Sequence, residues 1–410
     1  MKGEARTMKE NIYGIGKDNV ERYIQHLRTD IVRGEIGEQN VEDIIKLIDY
    51  LSAHGYSLGR KLKYLTNLKT ICKLYWKPIR GSSKEDLMKL VQAIENEEKW
   101  STSTKADFKL ILRMFFKWMK GLEKDDPLPE EVSWIKVKDD KKQRLPESIL
   151  VEEEVMRLAM HTDNERDKAF ILAIYETGCR IGEILTMQIK NIEFDDYGAL
   201  LRVEGKTGAR RVRIVGSAPA LKIWLEKHPF KTNHEAYLWI NPETDNPNRP
   251  LTYRAIAKML SKVAKRAGIY KKVNPHAFRH SRATYLANKL TEPQMKEFFG
   301  WTRESDMVGT YVHLSGRNVD EAILKTHGIV LSNNNTSMIS LKICEKCNEK
   351  NHPASLFCHK CGSVIDIAEK KKAFIELVYK LLQRLADRDP ETKKEWQKLV
   401  KEEGMEWVFE

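Results

Sequence analysis

Two groups of residues in this 410-residue chain have the types and spacing that chemistry requires. The first is a set of four cysteines, in which Cys344-x2-Cys347 is followed after ten residues by Cys358-x2-Cys361. Thiolates at that spacing can converge tetrahedrally on one ion, as in a zinc ribbon. Four sulfurs leave no coordination position open, so the metal is expected to be structural, with zinc preferred over iron. It would fold a segment too small to have a core of its own. The second group lies in the middle of the chain. In Tyr175-Glu176-Thr177-Gly178-Cys179-Arg180-Ile181-Gly182-Glu183 a glycine turn precedes Arg180, and Glu183 follows one helical turn later. Lys206 sits in an expected hairpin loop, with Arg210 and Arg211 as rival cations if the loop slides. His276-Ala277-Phe278-Arg279 follows Asn274-Pro275, and Phe299-Gly300-Trp301 precedes Tyr311. Two guanidiniums are planar, permanently protonated donors suited to phosphate oxygens.

With 11 histidines and 71 Lys or Arg, about two His-x-x-[Lys/Arg] pairs arise by chance, so the order of the set carries the signal. That order, across Leu145 to Arg317, resembles the catalytic domain of the tyrosine recombinases, the phage-integrase family of DNA strand-exchange enzymes. The all-α segment before it is similar in position and size to that family's core-binding domain. The resemblance implies Arg180, Lys206, His276, Arg279, Trp301 and Tyr311 as the catalytic set, with Glu183 fixing Arg180 or its neighbours. Transesterification of a phosphodiester adds negative charge to the non-bridging oxygens, which Arg180 and Arg279 would clamp. Tyr311, a phenol of pKa near 10, needs its proton removed, and His276 is the expected base. Lys206 would protonate the departing 5′ hydroxyl. The resemblance also implies a 3′-phosphotyrosyl intermediate, with neither ATP nor a catalytic metal required. Trp301 departs from the family's commonest residue there, a His; an indole N–H can donate but cannot shuttle protons.

These residues need a scaffold, and its outline is legible. Apolar residues make up 41% of the chain and charged residues 32%, enough for real cores under a polar surface. Apolar positions recur at three- and four-residue spacing in Val41, Ile44, Ile45, Leu47, Ile48, Leu51 and in Phe108, Ile111, Leu112, Phe115, Phe116, which predicts an all-α domain over 15–135. Ser82-Ser83-Lys84-Glu85 looks like a capping box, and Gly34, Gly55, Gly81 and Gly121 sit where helices should stop. A basic linker is expected over 136–145, after Pro127 and Pro129. The catalytic domain is placed at 146–328. Within it Ile189 to Phe194, Ala199 to Glu204 and Arg211 to Val215 predict a small antiparallel sheet. The zinc ribbon is placed at 341–364 and an amphipathic helical segment at 366–404, and a family-type docking helix is expected at Asn318 to Thr326. The fold class is therefore mainly α with a small antiparallel sheet: an all-α core-binding domain, an α+β integrase-type domain, a ribbon and a terminal helix.

The net charge is +12, and it is concentrated centrally, with nine Lys or Arg and no acidic residue from Arg254 to Arg282. That favours double-stranded DNA as the partner. The longest apolar run, Ala169 to Tyr175, is far short of the roughly 18 residues that cross a bilayer, so no membrane partner is expected. No apolar segment follows the first residues, and the cysteines are clustered rather than spread as a disulfide framework. Both point to the reducing cytoplasm. Homo-oligomers on DNA are expected, a dimer per site and a tetramer in synapsis. The reading is a site-specific recombinase that integrates or excises a mobile or viral element. Its rivals are a non-catalytic zinc-ribbon DNA-binding protein, to which Tyr311 would be of no use, and a type IB topoisomerase.

Overall fold

The structure is a computed structural model that describes residues 12–14, 16–75, 77–123, 125–137, 149–205, 207–243, 248–287, 289–314, 341–353, 355–366, 394 and 398. Most of the linker at 136–145, the docking helix at Asn318 to Thr326 and nearly all of the 366–404 segment lie outside the described residues. The chain divides into two compact units, 1–145 with 250–256 and 146–249 with 257–410.

Among the described residues the first unit is built of helices: α1 (Lys17–Val32), α2 (Glu38–Ala53), α3 (Leu58–Leu74), α4 (Lys84–Asn96), α5 (Thr102–Met119) and the short α6 (Glu130–Ser133). Its periodic apolar residues meet in one core, where Leu47, Leu51, Leu68, Ile71, Leu87, Ile94 and Leu112 are fully enclosed. Serine side chains close the starts of three helices: Ser57 accepts from the Arg60 amide, Ser83 from Asp86 and Ser101 from Thr104. The capping box is one residue later than expected, with Ser83 as the cap and Asp86 as its reciprocal partner. Gly34, Gly55 and Gly121 do follow helices, whereas Gly81 belongs to the turn leading into Ser83. Tyr64, in the Lys/Tyr-interleaved stretch of α3, is a core residue. Replacing Leu68 by Ala should remove about 2–5 kcal/mol of stability, by lost transfer energy and the cavity left behind. A urea midpoint unchanged from wild type would contradict that placement.

The second unit is built around α8 (Glu165–Thr177). Every residue from Ala169 to Tyr175 is at most 1% exposed, so the longest apolar run of the chain is a helix covered on all sides. Its neighbours include α7 (Glu152–Met160), α10 (Ala218–Lys227) and α12 (Pro275–Ala287). The five-residue α9 (Ile181–Leu185) follows the glycine turn, and α11 (Tyr253–Arg266), α13 (Glu292–Phe299) and α14 (Met307–Leu314) complete the described helices. The sheet is antiparallel in the order β1 (Ile192–Asp195), β2 (Gly198–Gly205), β3 (Gly208–Ile214). Ile189 to Asn191, expected as strand, form a 3-10 turn instead. Alternation along β2 and β3 buries Ala199, Leu201, Val203, Val212 and Ile214 and exposes Arg202, Glu204, Arg211 and Arg213. The far end of the sheet is pinned by Glu176 of α8. Its carboxylate accepts from the amides of Val215, Gly216 and Ser217 at 2.8, 3.1 and 2.7 Å and from the Ser217 hydroxyl at 2.6 Å. The fold is thus mainly α with a small antiparallel sheet, and among the described residues no helix is long and apolar enough to cross a membrane.

Candidate active site

α8 ends at Gly178, whose φ of +56° places it in the left-handed region. A Cβ there would lie 2.4 Å from Cε1 of Phe299, so only glycine lets the chain turn against that ring. The turn delivers Arg180 to the start of α9. Glu183, 3% exposed, accepts from the Arg180 amide with Oε2 at 2.9 Å and from Arg180 Nη1 with Oε1 at 2.9 Å. The same carboxylate accepts from Arg210 Nη2 at 2.9 Å. Burial alone would raise the Glu183 pKa, but Arg210 and Arg180 outweigh it and hold the carboxyl below its ordinary value. Burial would likewise depress the Arg210 guanidinium, and Glu183 with Cys179 reverses that and holds it above its ordinary value. The Cys179 thiol, fully enclosed beside Arg210, is pushed up by burial.

The C-terminus of α13 gathers the arginines. The Phe298 carbonyl accepts from Arg210 Nε at 2.8 Å, the Phe299 carbonyl from Arg279 Nη2 at 2.7 Å, and the Gly300 carbonyl from Arg180 Nη2 at 3.3 Å and the Thr207 hydroxyl at 3.1 Å. Arg279, on α12, also donates from Nη1 to the Gly178 carbonyl at 2.8 Å. Its pKa is lowered to about 10, first by burial and then by the neighbouring Arg180 charge. Gly300 is left-handed at φ +59° and turns the chain into Trp301. Trp301 stacks between Phe299, at 4.8 Å and 20°, and Tyr311 of α14, at 5.6 Å and 5°.

The Tyr311 hydroxyl is hydrogen-bonded to Nδ1 of His280. His276, expected as the base, stacks on His280 at 5.8 Å and is exposed. Sequence reading passed over His280, although its i, i+4 spacing from His276 puts both imidazoles on one face of α12. It also left Arg210 only as a rival to Lys206. The alternation of β3 carried a sharper signal, because Arg210 shares the inward parity of Val212 and Ile214. Lys206 itself lies outside the described residues; its flanks, Gly205 and Thr207, stand against Glu183 and Gly300 respectively. Arg180, Glu183, His276, Arg279, Trp301 and Tyr311 are thus brought into one neighbourhood, with Arg210 and His280 added.

The four cysteine sulfurs lie within 4.8 Å of one another and can hold a metal ion. Cys344 Sγ is 3.5 Å from Cys361 Sγ, and Cys347 Sγ 3.5 Å from Cys358 Sγ. Hydrogen bonding at Ser363 holds Cys361 down at about 6. Cys347 is pushed up to about 12 by burial and the other three thiols, even though a backbone bond at Glu349 favours its thiolate. Four crowded sulfurs that cannot all ionise alone are the donor set that a divalent cation completes. The two-stranded β4 (Lys342–Ile343) and β5 (Lys350–Asn351) frame this module. Lys350 ties it to the Asp196 carbonyl in the β1–β2 turn at 2.5 Å.

Residues 149–317, which hold all of these groups except the cysteine module, match the phage integrase family. Tyrosine recombinase XerC of Staphylococcus epidermidis is 28% identical over 195 residues, 46% of this chain and 64% of that protein. Tyrosine recombinase XerA of Pyrococcus furiosus is 29% identical over 185 residues, 44% of this chain and 61% of that protein. The chain therefore spans less than two thirds of the length of these relatives. In fold, the chain superposes on XerH site-specific recombinase bound to difH DNA with a TM-score of 0.52 at 19% identity, over 78% of this chain and 98% of that one. A lambda integrase tetramer bound to a Holliday junction gives 0.53 at 13% identity, over 68% of this chain and 78% of that one. The second unit thus has the fold seen in these recombinase structures. The match to the phage integrase family covers residues 149–317, which is less than half of this chain.

Glu183→Gln leaves the buried Arg210 and the half-exposed Arg180 without their carboxylate and should cost about 3 kcal/mol at neutral pH. Because the folded pKa of Glu183 is depressed, its contribution is present above the ordinary carboxylate range and is lost as pH falls through the lowered value. The gap between wild type and Glu183→Gln in urea midpoints should narrow on acidification; a gap that widens would refute the linkage.

Proposed function

We propose that this protein is a site-specific tyrosine recombinase of the integrase type, cutting and rejoining double-stranded DNA one strand at a time. The observation that carries the reading is the meeting of Arg180 and Arg279 beside Tyr311, within a phage integrase domain. Arg180 and Arg279 bind the non-bridging oxygens of the scissile phosphate and stabilise the charge that grows there. The Tyr311 oxygen attacks phosphorus as the bond to the 5′ oxygen breaks, leaving a 3′-phosphotyrosyl bond. His280 takes the phenolic proton, with His276 beside it at the exposed edge. Lys206 protonates the departing 5′ oxygen. Attack by a 5′ hydroxyl on the phosphotyrosine reverses these steps on a new strand. The bond energy is kept, so the cycle needs neither ATP nor a catalytic metal.

The lambda integrase relatives are described as a dimer bound to a core site and a tetramer bound to a Holliday junction. For this chain we propose the same progression, a dimer on each site and a tetramer in synapsis, in the cytoplasm. Integration or excision of a mobile element is the proposed outcome. The cysteine module is proposed to bind one structural zinc through Cys344, Cys347, Cys358 and Cys361. Its place would be outside the chemistry, in synapsis or site choice.

Wild type and Tyr311→Phe should be incubated with supercoiled DNA that carries the flanks of the gene's own locus. An SDS-resistant protein–DNA adduct is expected from wild type alone, and its sequence maps the scissile phosphate. Equal salt-sensitive binding by both proteins without an adduct would favour a non-catalytic DNA-binding protein. Cobalt substitution should give the absorption of a tetrahedral thiolate site, abolished by Cys358→Ser. Removal of Leu341 to Glu410 should spare cleavage and weaken synapsis; loss of cleavage in that truncation would contradict the assignment.

A further inference from the structure

On β3 the inward positions after the hairpin are 210, 212 and 214, and the partners across the ladder are Val203, Leu201 and Ala199. Five of these six residues are apolar or small; the sixth is Arg210, with a side chain only 7% exposed. A buried guanidinium is costly unless its donors are matched. Here Nε donates to the Phe298 carbonyl at 2.8 Å, and Nη2 to Glu183 at 2.9 Å and Cys179 Sγ at 3.6 Å, while Nη1 is buried without a hydrogen-bond partner. Arg210 is also close-packed on Gly300, where a Cβ would come within 2.9 Å of Nη1. One side chain of the hairpin thus touches the carboxylate that holds Arg180 and the helix end that leads into Trp301.

Resting on the transesterification reading above, we propose that Arg210 is a positioning residue. It locks Gly205 and Thr207 of the β2–β3 hairpin to the Arg180–Glu183 pair and the Gly300–Trp301 turn, and so supports protonation of the leaving 5′ oxygen, the step proposed above for Lys206. The geometry of the flanks fits this role. Gly205 comes so close to Glu183 that a Cβ would lie 2.5 Å from Oε1, and Thr207 donates to the Gly300 carbonyl. On the same two strands Arg202, Arg211 and Arg213 are exposed, and Arg202 and Arg213 pair with Glu193 and Asp195 of β1 instead.

Two measurements test this. In hydrogen exchange, Arg210→Met and the milder Arg210→Lys, which keeps the charge but not the fork, should speed exchange of the 205–209 amides and those after Phe299 by about tenfold or more. Arg202→Met should not. Unchanged exchange in a folded Arg210→Met protein would overturn the brace, whatever the DNA chemistry. The second measurement uses DNA oligonucleotides with the scissile phosphate mapped from the adduct, carrying either the natural 5′ oxygen or a 5′-bridging sulfur. A thiolate, with a thiol pKa near 8.5, leaves without a proton donor. Arg210→Lys should cleave the oxygen substrate about 10²-fold slower than wild type, the scale of one acid–base contribution, and the sulfur substrate nearly as fast as wild type. Lys206→Ala should behave alike. An equal deficit on both substrates would sink the proton-delivery role. Absence of cleavage by wild type on either DNA would reject the transesterase reading and that role with it, while exchange still decides the brace.

Discussion

The arrangement of this site depends on one constraint: three guanidiniums must lie together in a largely buried space without repelling one another out of place. Arg180, Arg210 and Arg279 share one carboxylate, Glu183, so the pocket keeps an excess of positive charge. The rest of the compensation is dipolar. A helix C-terminus has carbonyls without intrahelical partners and a partial negative charge. In α13 the carbonyls of Phe298, Phe299 and Gly300 receive Arg210, Arg279 and Arg180 in turn. The orphan acceptors take up most of the crowded donors, and the site keeps an excess of positive charge, suited to the phosphate of the proposed reaction.

The same helix end sets the position of Tyr311, the proposed nucleophile. Because Gly300 turns left-handed immediately after Phe299, Trp301 folds back over Phe299 and presents its other face to Tyr311. A displacement of α13 would therefore move the guanidiniums and the tyrosine ring together. Its approach to α8 is possible only because Gly178 has no Cβ to strike Phe299. Relative placement of donor and nucleophile within fractions of an ångström is what positioning contributes to rate, and here both are referred to one short element.

What was readable in the sequence follows from the range of the interactions. The helices of the first unit and the β2–β3 hairpin come from local periodicity, so their existence was legible, and their ends shifted by a residue or a few. Ile189 to Asn191 read as strand because they look β-like, yet they bend as a 3-10 turn where the Gln188 amide is capped by the Asn191 side chain. Arg180, Arg279 and Tyr311, singled out by their types and their order along the chain, lie in one neighbourhood of the fold. Arg210 and His280 were harder, because their roles come from partners 27 and 31 positions away. The parity of β3 and the i, i+4 pair on α12 marked them as facing inward and as sharing a face, but the identity of what they would meet is a tertiary fact.

The basic residues fall into two physical populations, and net charge alone does not distinguish them. Lys258, Lys265 and Lys272, with Arg202 and Arg211 on the sheet, are exposed. Charges of that kind attract a polyanion over about a Debye length and are weakened by salt. Arg210 and Arg279 are enclosed, with Nε and Nη2 of Arg210 and both Nη atoms of Arg279 directed by carbonyls and Glu183, and Arg210 Nη1 left without a partner. Screening reaches them little, and their hydrogen bonds need no reorganisation when charge develops nearby. Arg180, with its side chain 37% exposed, stands at the border between the two populations. A phosphate drawn in by the first population would be passed to the second through that residue, so salt should govern encounter far more than the chemical step.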